Sequence, residues 1–174
     1  MRFLICLFGV ILIVSCNTVK VNYDYDRNVD FSNYTTYNYF SDMETGLSQL
    51  DEKRLRRVLD STLKIKGYLL SEEPDFLINI LSDEFRNTPN NVVGVGVGGA
   101  GRNVGGGISL GIPVGGSGLQ RMIQFDFVDA KQDALFWQAF SESGYRSNAS
   151  PSVREERLRA VVNKVFSKYP PEKK

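Results

Sequence analysis

Twelve of the sixteen glycines in this 174-residue chain fall between Gly94 and Gly118. Glycine brings no side chain to a core and loses the most backbone freedom when it is ordered. The buried centre must therefore come from the segments on either side, and the fold must tolerate a glycine-rich insertion between them. Gly94-Val-Gly-Val-Gly-Gly99 has the G-x-G-x-x-G spacing of a dinucleotide loop. That mechanism needs a helix directly after the turn, its N-terminus facing the phosphate. Ala100-Gly-Arg-Asn-Val-Gly-Gly-Gly107 cannot start one, so nucleotide binding is set aside. Val93, Val95 and Val97 instead alternate with glycines, and Ile108, Leu110 and Ile112 alternate on the return. That pattern reads as an extended hairpin with Arg102 and Asn103 near its tip. It is either a solvated arm or a contact surface for a partner protein or a membrane. In the second case Val95, Val97, Arg102, Asn103, Ile108 and Leu110 are the contact residues.

Before the insertion, Val19–Asp26 alternates apolar and polar residues, as a half-buried strand does. Tyr34–Phe40, dense in tyrosine and threonine, reads as a second strand. Ser48 offers a cap for a helix over Leu50–Lys66, whose Leu55, Val58, Leu59 and Leu63 share one face. Gly67 suits a left-handed stop. Phe76–Phe85 is apolar on both faces at its start, which predicts a central strand covered by helices. After the insertion, Arg121–Asp129 and Ala134–Ser141 form a hairpin around Asp129–Asp133. Ser150-Pro151 then opens a helix with serine at the cap and proline at the first position. Its buried stripe is Leu158, Val161, Val162, Val165, Phe166 and Tyr169. The order β-β-α-β, glycine-rich hairpin, β-β-α predicts a two-layer α+β domain. Its sheet is mostly antiparallel or mixed, with two amphipathic helices on one face.

The N-terminus carries a different kind of information. Arg2 precedes an apolar run from Phe3 to Val14 that is too short for a comfortable membrane span but suits a secretory signal peptide. Ile13-Val14-Ser15-Cys16 closes it and resembles the lipobox of bacterial lipoproteins. The resemblance implies cleavage between Ser15 and Cys16, and covalent diacylglycerol and N-acyl lipid (palmitate and its like) on Cys16. Two or three acyl chains suffice for stable anchoring. Asn17-Thr18 lacks the aspartate that resembles an inner-membrane retention signal, so the expected place is the outer membrane, facing the periplasm. The expected organisation is then signal peptide 1–15, lipidated tether 16–18, one α+β domain 19–169 with insertion 92–118, and tail 170–174.

Composition narrows the chemistry. Loss of Arg2 with the signal peptide brings 21 basic residues to 20, against 20 acidic ones. A neutral domain is a poor nucleic-acid binder. The chain has no histidine, and its only cysteines are Cys6 and Cys16. The commonest general base, the commonest metal ligand and any free thiol are absent from the mature chain. No catalytic residue, metal or cofactor is therefore expected. Asp24, Asp26 and Asp30 lack the glycine and distal glutamate of a calcium loop and read as turn caps on a strand edge. Lys53, Arg54, Arg56 and Arg57, diluted by Asp51, Glu52 and Asp60, read as a solvated helix face. Phe125, Trp137 and Phe140 either pack the core or line a groove for a small apolar or lipid ligand, core packing being the stronger reading.

Scattered motifs carry a wider resemblance. Val21-Asn-Tyr-Asp-Tyr-Asp26, Asp30-Phe-Ser-Asn-Tyr-Thr-Thr-Tyr37, Lys66-Gly-Tyr68 and Pro74-Asp-Phe-Leu-Ile78 precede the glycine-rich stretch. Phe125-Asp-Phe-Val-Asp129, Leu135-Phe-Trp-Gln138 and Phe166-Ser-Lys-Tyr-Pro-Pro171 follow it. In this order they resemble the domain-of-unknown-function 4136 family of bacterial lipoproteins, except that Gln138 stands where a small residue is expected. The family has no established catalytic residues, so the resemblance implies fold and location and transfers no active site. The function expected is that of a non-enzymatic envelope lipoprotein, a protein-interaction or assembly module held to the membrane by lipid, with another envelope protein as partner. Replacing Cys16 by serine is expected to abolish incorporation of labelled palmitate and to leave the uncleaved precursor, read by mass.

Overall fold

The computed structural model describes residues 19–86, 92–94, 111–113 and 118–171. The elements are β1 (Lys20–Tyr25), β2 (Thr36–Tyr39), α1 (Gln49–Ile65), β3 (Leu69–Leu70), β4 (Phe76–Arg86), β5 (Val92–Gly94), β6 (Gly111–Pro113), β7 (Leu119–Asp129), β8 (Ala134–Gly144) and α2 (Pro151–Phe166). A single 3-10 turn, Phe31–Asn33, lies between β1 and β2.

Six strands form one sheet in the order β1-β8-β7-β4-β2-β3. The four strands β1, β8, β7 and β4 pair antiparallel. β2 joins β4 in parallel, and β3 joins β2 in parallel. The sheet is thus mixed, and the parallel pair arises because α1 carries the chain from β2 to its neighbour β4. The expected two-layer α+β class holds. Most strand and helix bounds differ from expectation by one to three residues. β2 is shorter, and β8 runs three residues further, to Gly144. The two-residue β3 and the 3-10 turn are too short to leave a periodic signal.

The core sits between one sheet face and both helices. Register places Ile78 opposite Phe127, Ile80 opposite Phe125, and Phe127 opposite Trp137. All five are 0–1 % exposed. α1 adds Leu55, Val58, Leu59 and Leu63, and α2 adds Leu158, Val161, Val162, Val165 and Phe166. Tyr169, expected on the helical stripe, lies beyond the end of α2 but is still buried. Its ring stands 4.8 Å from Trp137 and 5.0 Å from Phe127, both edge-on, an arrangement that the aromatic quadrupole favours.

The helices do not cover both faces of β4. Leu81, whose side chain points to the face without helices, is 42 % exposed. The centre of that face is polar: Asp126 accepts hydrogen bonds from Gln124 Nε2 (2.9 Å) and Gln138 Nε2 (2.6 Å). Apolar residues on both sides of β4 therefore marked its central position in the sheet, not a second helical layer.

The strand ends fix where the insertion attaches. β4 and β7 stay in register to the pair Arg86–Leu119, so residues 87–118 leave and re-enter the sheet at one place. Within them β5 and β6 pair antiparallel, Val93 opposite Ile112, which agrees with the expected hairpin at its base. Gln120 lies opposite Gly144, and Glu142 opposite Lys20. The first residue of β1 thus shares one sheet end, the near end, with the insertion.

Among the described residues, two glycines have positive φ and give a test of packing against backbone strain. Gly67 (φ +92°) has nothing among the described residues within 4 Å of an added Cβ. At Gly46 (φ +70°) a Cβ would lie 2.5 Å from the Ser82 carbonyl oxygen. Gly67→Ala is expected to cost about 1–2 kcal/mol, the left-handed strain alone. Gly46→Ala adds about 1–3 kcal/mol for the clash with backbone. Urea denaturation of both variants checks the difference.

Candidate interaction site

Ser48 caps α1, its Oγ accepting from Asp51 N–H at 3.3 Å. Asp51 is then the first residue of the core-facing stripe that continues through Leu55, Val58 and Leu59. Arg121 shares the buried parity of β7 with Ile123, Phe125 and Phe127. Arg154 stands one turn before Leu158 on α2. Each charged residue therefore occupies a core-facing position at its element's near end, and the three meet. Asp51 is 0 % exposed. Its Oδ1 accepts from Arg54 Nη1 at 2.7 Å, and its Oδ2 from Arg154 Nη1 at 3.0 Å and Arg121 Nη1 at 3.3 Å. Burial by itself would raise the carboxyl pKa; the hydrogen bonds from Arg121 and Arg54 and the positive charge around it outweigh burial and lower it.

The arginines are themselves positioned. Arg121 Nη2 donates to Glu84 Oε1 at 2.7 Å. The Tyr145 ring lies 3.6 Å from the Arg121 guanidinium carbon and 5.9 Å from that of Arg154, within cation–π range. Arg154 also donates to the Ala149 and Ser147 carbonyls, and Arg157 Nη1 donates to the Gly144 carbonyl at 2.7 Å. The β8–α2 connection is thereby folded against the sheet end.

The far end of the sheet is rich in aromatic rings. Asp75 Oδ2 accepts from the N–H and hydroxyl of both Thr35 and Thr36 at 2.9–3.0 Å. These bonds, the Thr35 N–H foremost, hold its pKa down to about 2. Tyr34 donates to Asp129 at 2.9 Å, and burial followed by that bond pushes its pKa up to about 12. Lys66 Nζ donates to the Tyr169 carbonyl at 2.7 Å. A surface groove of about 390 Å³ runs beside Phe31, Tyr34, Tyr68 and Pro170. Most of the motifs that carry the family resemblance meet at this end, although they are scattered along the chain.

Of the residues singled out in the sequence, Ser15, Cys16, Val95, Val97, Arg102, Asn103, Ile108 and Leu110 lie outside the described residues. Asp26 accepts from Asn28 N–H and Asp30 from Ser32 N–H, the turn caps expected of them. The solvated-face reading of the basic run fails at Arg54, which is drawn under the sheet end by Asp51. Arg56 and Arg57 do stay at the surface, paired with Glu52 and Glu155. Phe125 and Trp137 are packed solid. Phe140, opposite Gln124 and Asn22, faces away from them on the helix-free side. The three therefore do not line one groove. The Asp51 cluster was not expected, although the parity of Arg121 and the stripe position of Asp51 were visible signals.

The chain belongs to the family described as Domain of unknown function (DUF4136), whose model matches residues 21–171. No curated protein matches it. Among solved structures it is similar to a PDZ domain protein from Parabacteroides distasonis ATCC 8503, at 17% identity and a TM-score of 0.59. That match covers 90% of this chain and 36% of the other, so the chain spans only about a third of that protein. It is also similar to a PelC dodecamer from Paraburkholderia phytofirmans, at 12% identity, TM-score 0.50, covering 86% of this chain and 96% of that one. At these identities the likeness is one of fold.

Asp51→Ala would leave Arg154 without its carboxylate and Arg121 with Glu84 alone, and is expected to cost about 3–5 kcal/mol in urea denaturation. Because the folded pKa of Asp51 is lowered, its contribution is present above the unfolded value of about 3.9 and lost as pH falls through the folded one. The cost of the substitution should accordingly shrink on acidification.

Proposed function

We propose that the chain is a non-enzymatic lipoprotein of the bacterial envelope, anchored through Cys16 and acting as a protein-interaction or envelope-assembly module. The observation that carries this reading is the shared sheet end. β1 begins at Lys20, four residues after Cys16, a span of at most about 14 Å. Residues 87–118 leave the sheet at that same end. An anchored domain would thus present its glycine-rich insertion on the membrane side, with the far end toward the periplasm. The lack of histidine and of a free thiol in the mature chain supports a role without catalysis. That a protein of similar fold is a dodecamer supports reading the fold as an assembly module.

Since Arg86 and Leu119 are already paired, a two-residue turn can replace residues 87–118 without moving β4 or β7. The excised protein is expected to keep its cooperative unfolding and to lose its envelope partner in crosslinking of intact cells. A partner captured equally well without the insertion sinks the assignment of contact to that segment. Unfolding on excision sinks the idea that it is an appendage.

A further inference from the structure

Behind the Asp51 cluster, α2 and the ends of β7 and β8 enclose a cavity walled by Arg121, Arg146, Arg154, Arg157 and Tyr145, with Ile123 and Leu158 at its apolar side. Its free volume is about 20 Å³, room for one oxygen-sized group. The Arg121 side chain is 8 % exposed, and its Nη1 and Nη2 are engaged by Asp51 and Glu84. Its Nε, buried, has no hydrogen-bond partner among the described residues. A buried donor without an acceptor costs about 1–3 kcal/mol, so the position favours a ligand oxygen.

Charge decides what kind of oxygen. Four arginines, Arg121, Arg146, Arg154 and Arg157, line the cavity against the two carboxylates that pair with members of this set, Asp51 and Glu84, an excess of two positive charges. A water would satisfy Nε and leave that excess untouched. An oxyanion would satisfy both, with charge-assisted bonds roughly twice as strong as neutral ones. A carboxylate that put one oxygen into the cavity would have one left outside. A phosphate group keeps further oxygens outside, for which Arg146 and Arg157, both in the cavity wall, offer guanidinium donors.

We propose that this cavity binds one phosphate group, Arg121 Nε holding the inserted oxygen and Arg146 and Arg157 the outer ones. Resting on the proposed lipid anchor at Cys16, the source is a phospholipid headgroup. The cavity lies at the near end, and the tether from Lys20 to Cys16 holds that end within reach of the bilayer surface.

The test follows the Arg121 Nε–H resonance of the ¹⁵N-labelled full chain in maltoside micelles, which contain no phosphate. Titration with inorganic phosphate is expected to shift that resonance saturably. The Arg146→Gln/Arg157→Gln double variant leaves every Asp51 contact in place; it should remain folded and bind roughly tenfold more weakly. No saturable shift, or equal affinity in the double variant, overturns the site and leaves a cavity for water. Because the micelle titration works whether or not Cys16 is lipidated, its failure is distinct from failure of the anchor, which is read by mass. In a second arm, phosphatidylglycerol vesicles are expected to reproduce the shift and phosphate-free galactolipid vesicles not to. A shift with inorganic phosphate alone overturns the lipid source in favour of a soluble phosphate.

Discussion

A carboxylate with no exposed surface is a large cost unless it is surrounded by donors, and Asp51 meets that condition with three arginines drawn from α1, β7 and α2. Its position requires the near ends of these elements to come together in one geometry. α1 starts where β4 and β7 end their pairing, and α2 starts above the same strands. An apolar contact there would tolerate sliding; charge-assisted bonds of defined direction do not. The desolvation of such a cluster makes it a weak source of net stability. Its effect is to set register, and the apolar core supplies the driving force.

That core is one-sided. Aromatic rings from β4, β7, β8 and the chain after α2 interlock under the helices, with Phe76, Phe127, Trp137 and Tyr169 all 0–2 % exposed. The other face is satisfied by polar side chains, with Asp126 held between Gln124 and Gln138. A sheet built this way has distinct faces and distinct ends. Arginines and the attachment points of the insertion mark one end; the aromatic assembly of motifs occupies the other. Since β1 follows the tether directly, the distinction between ends becomes a distinction between membrane side and periplasmic side in the proposed anchored state.

Membership of the family assigns no chemistry, and the likeness to PelC and to the PDZ domain protein is a likeness of fold. What this chain adds is local. Excess positive charge around a small cavity at the near end, rather than over the whole surface, is compatible with formal near-neutrality, because the acids balancing it lie elsewhere. Asp126, for example, is held by the uncharged Gln124 and Gln138 on the helix-free face. Net charge argued against a polybasic binder and was silent about one arginine-lined pocket.

Much of the architecture was legible along the chain, since each clear element carries its own periodicity. Leu55, Val58, Leu59 and Leu63 define α1, and Ile123, Phe125 and Phe127 define β7, independently of what they touch. Caps at Ser48 and Ser150 and the hairpin turn at Asp129–Asp133 are equally local. The lipidation proposed for Cys16 rests on the same local kind of signal, its neighbours in sequence. Pairing is different. The parallel join of β2 to β4, the two-residue β3 and the bare second face of β4 depend on which segment lies alongside, and no local pattern encodes that. Asp51 shows the limit most clearly. In sequence it is one acid among helix-face charges, and its parity says only that it points inward. Three arginines from α1, β7 and α2 had to arrive before inward meant buried, ionised and paired.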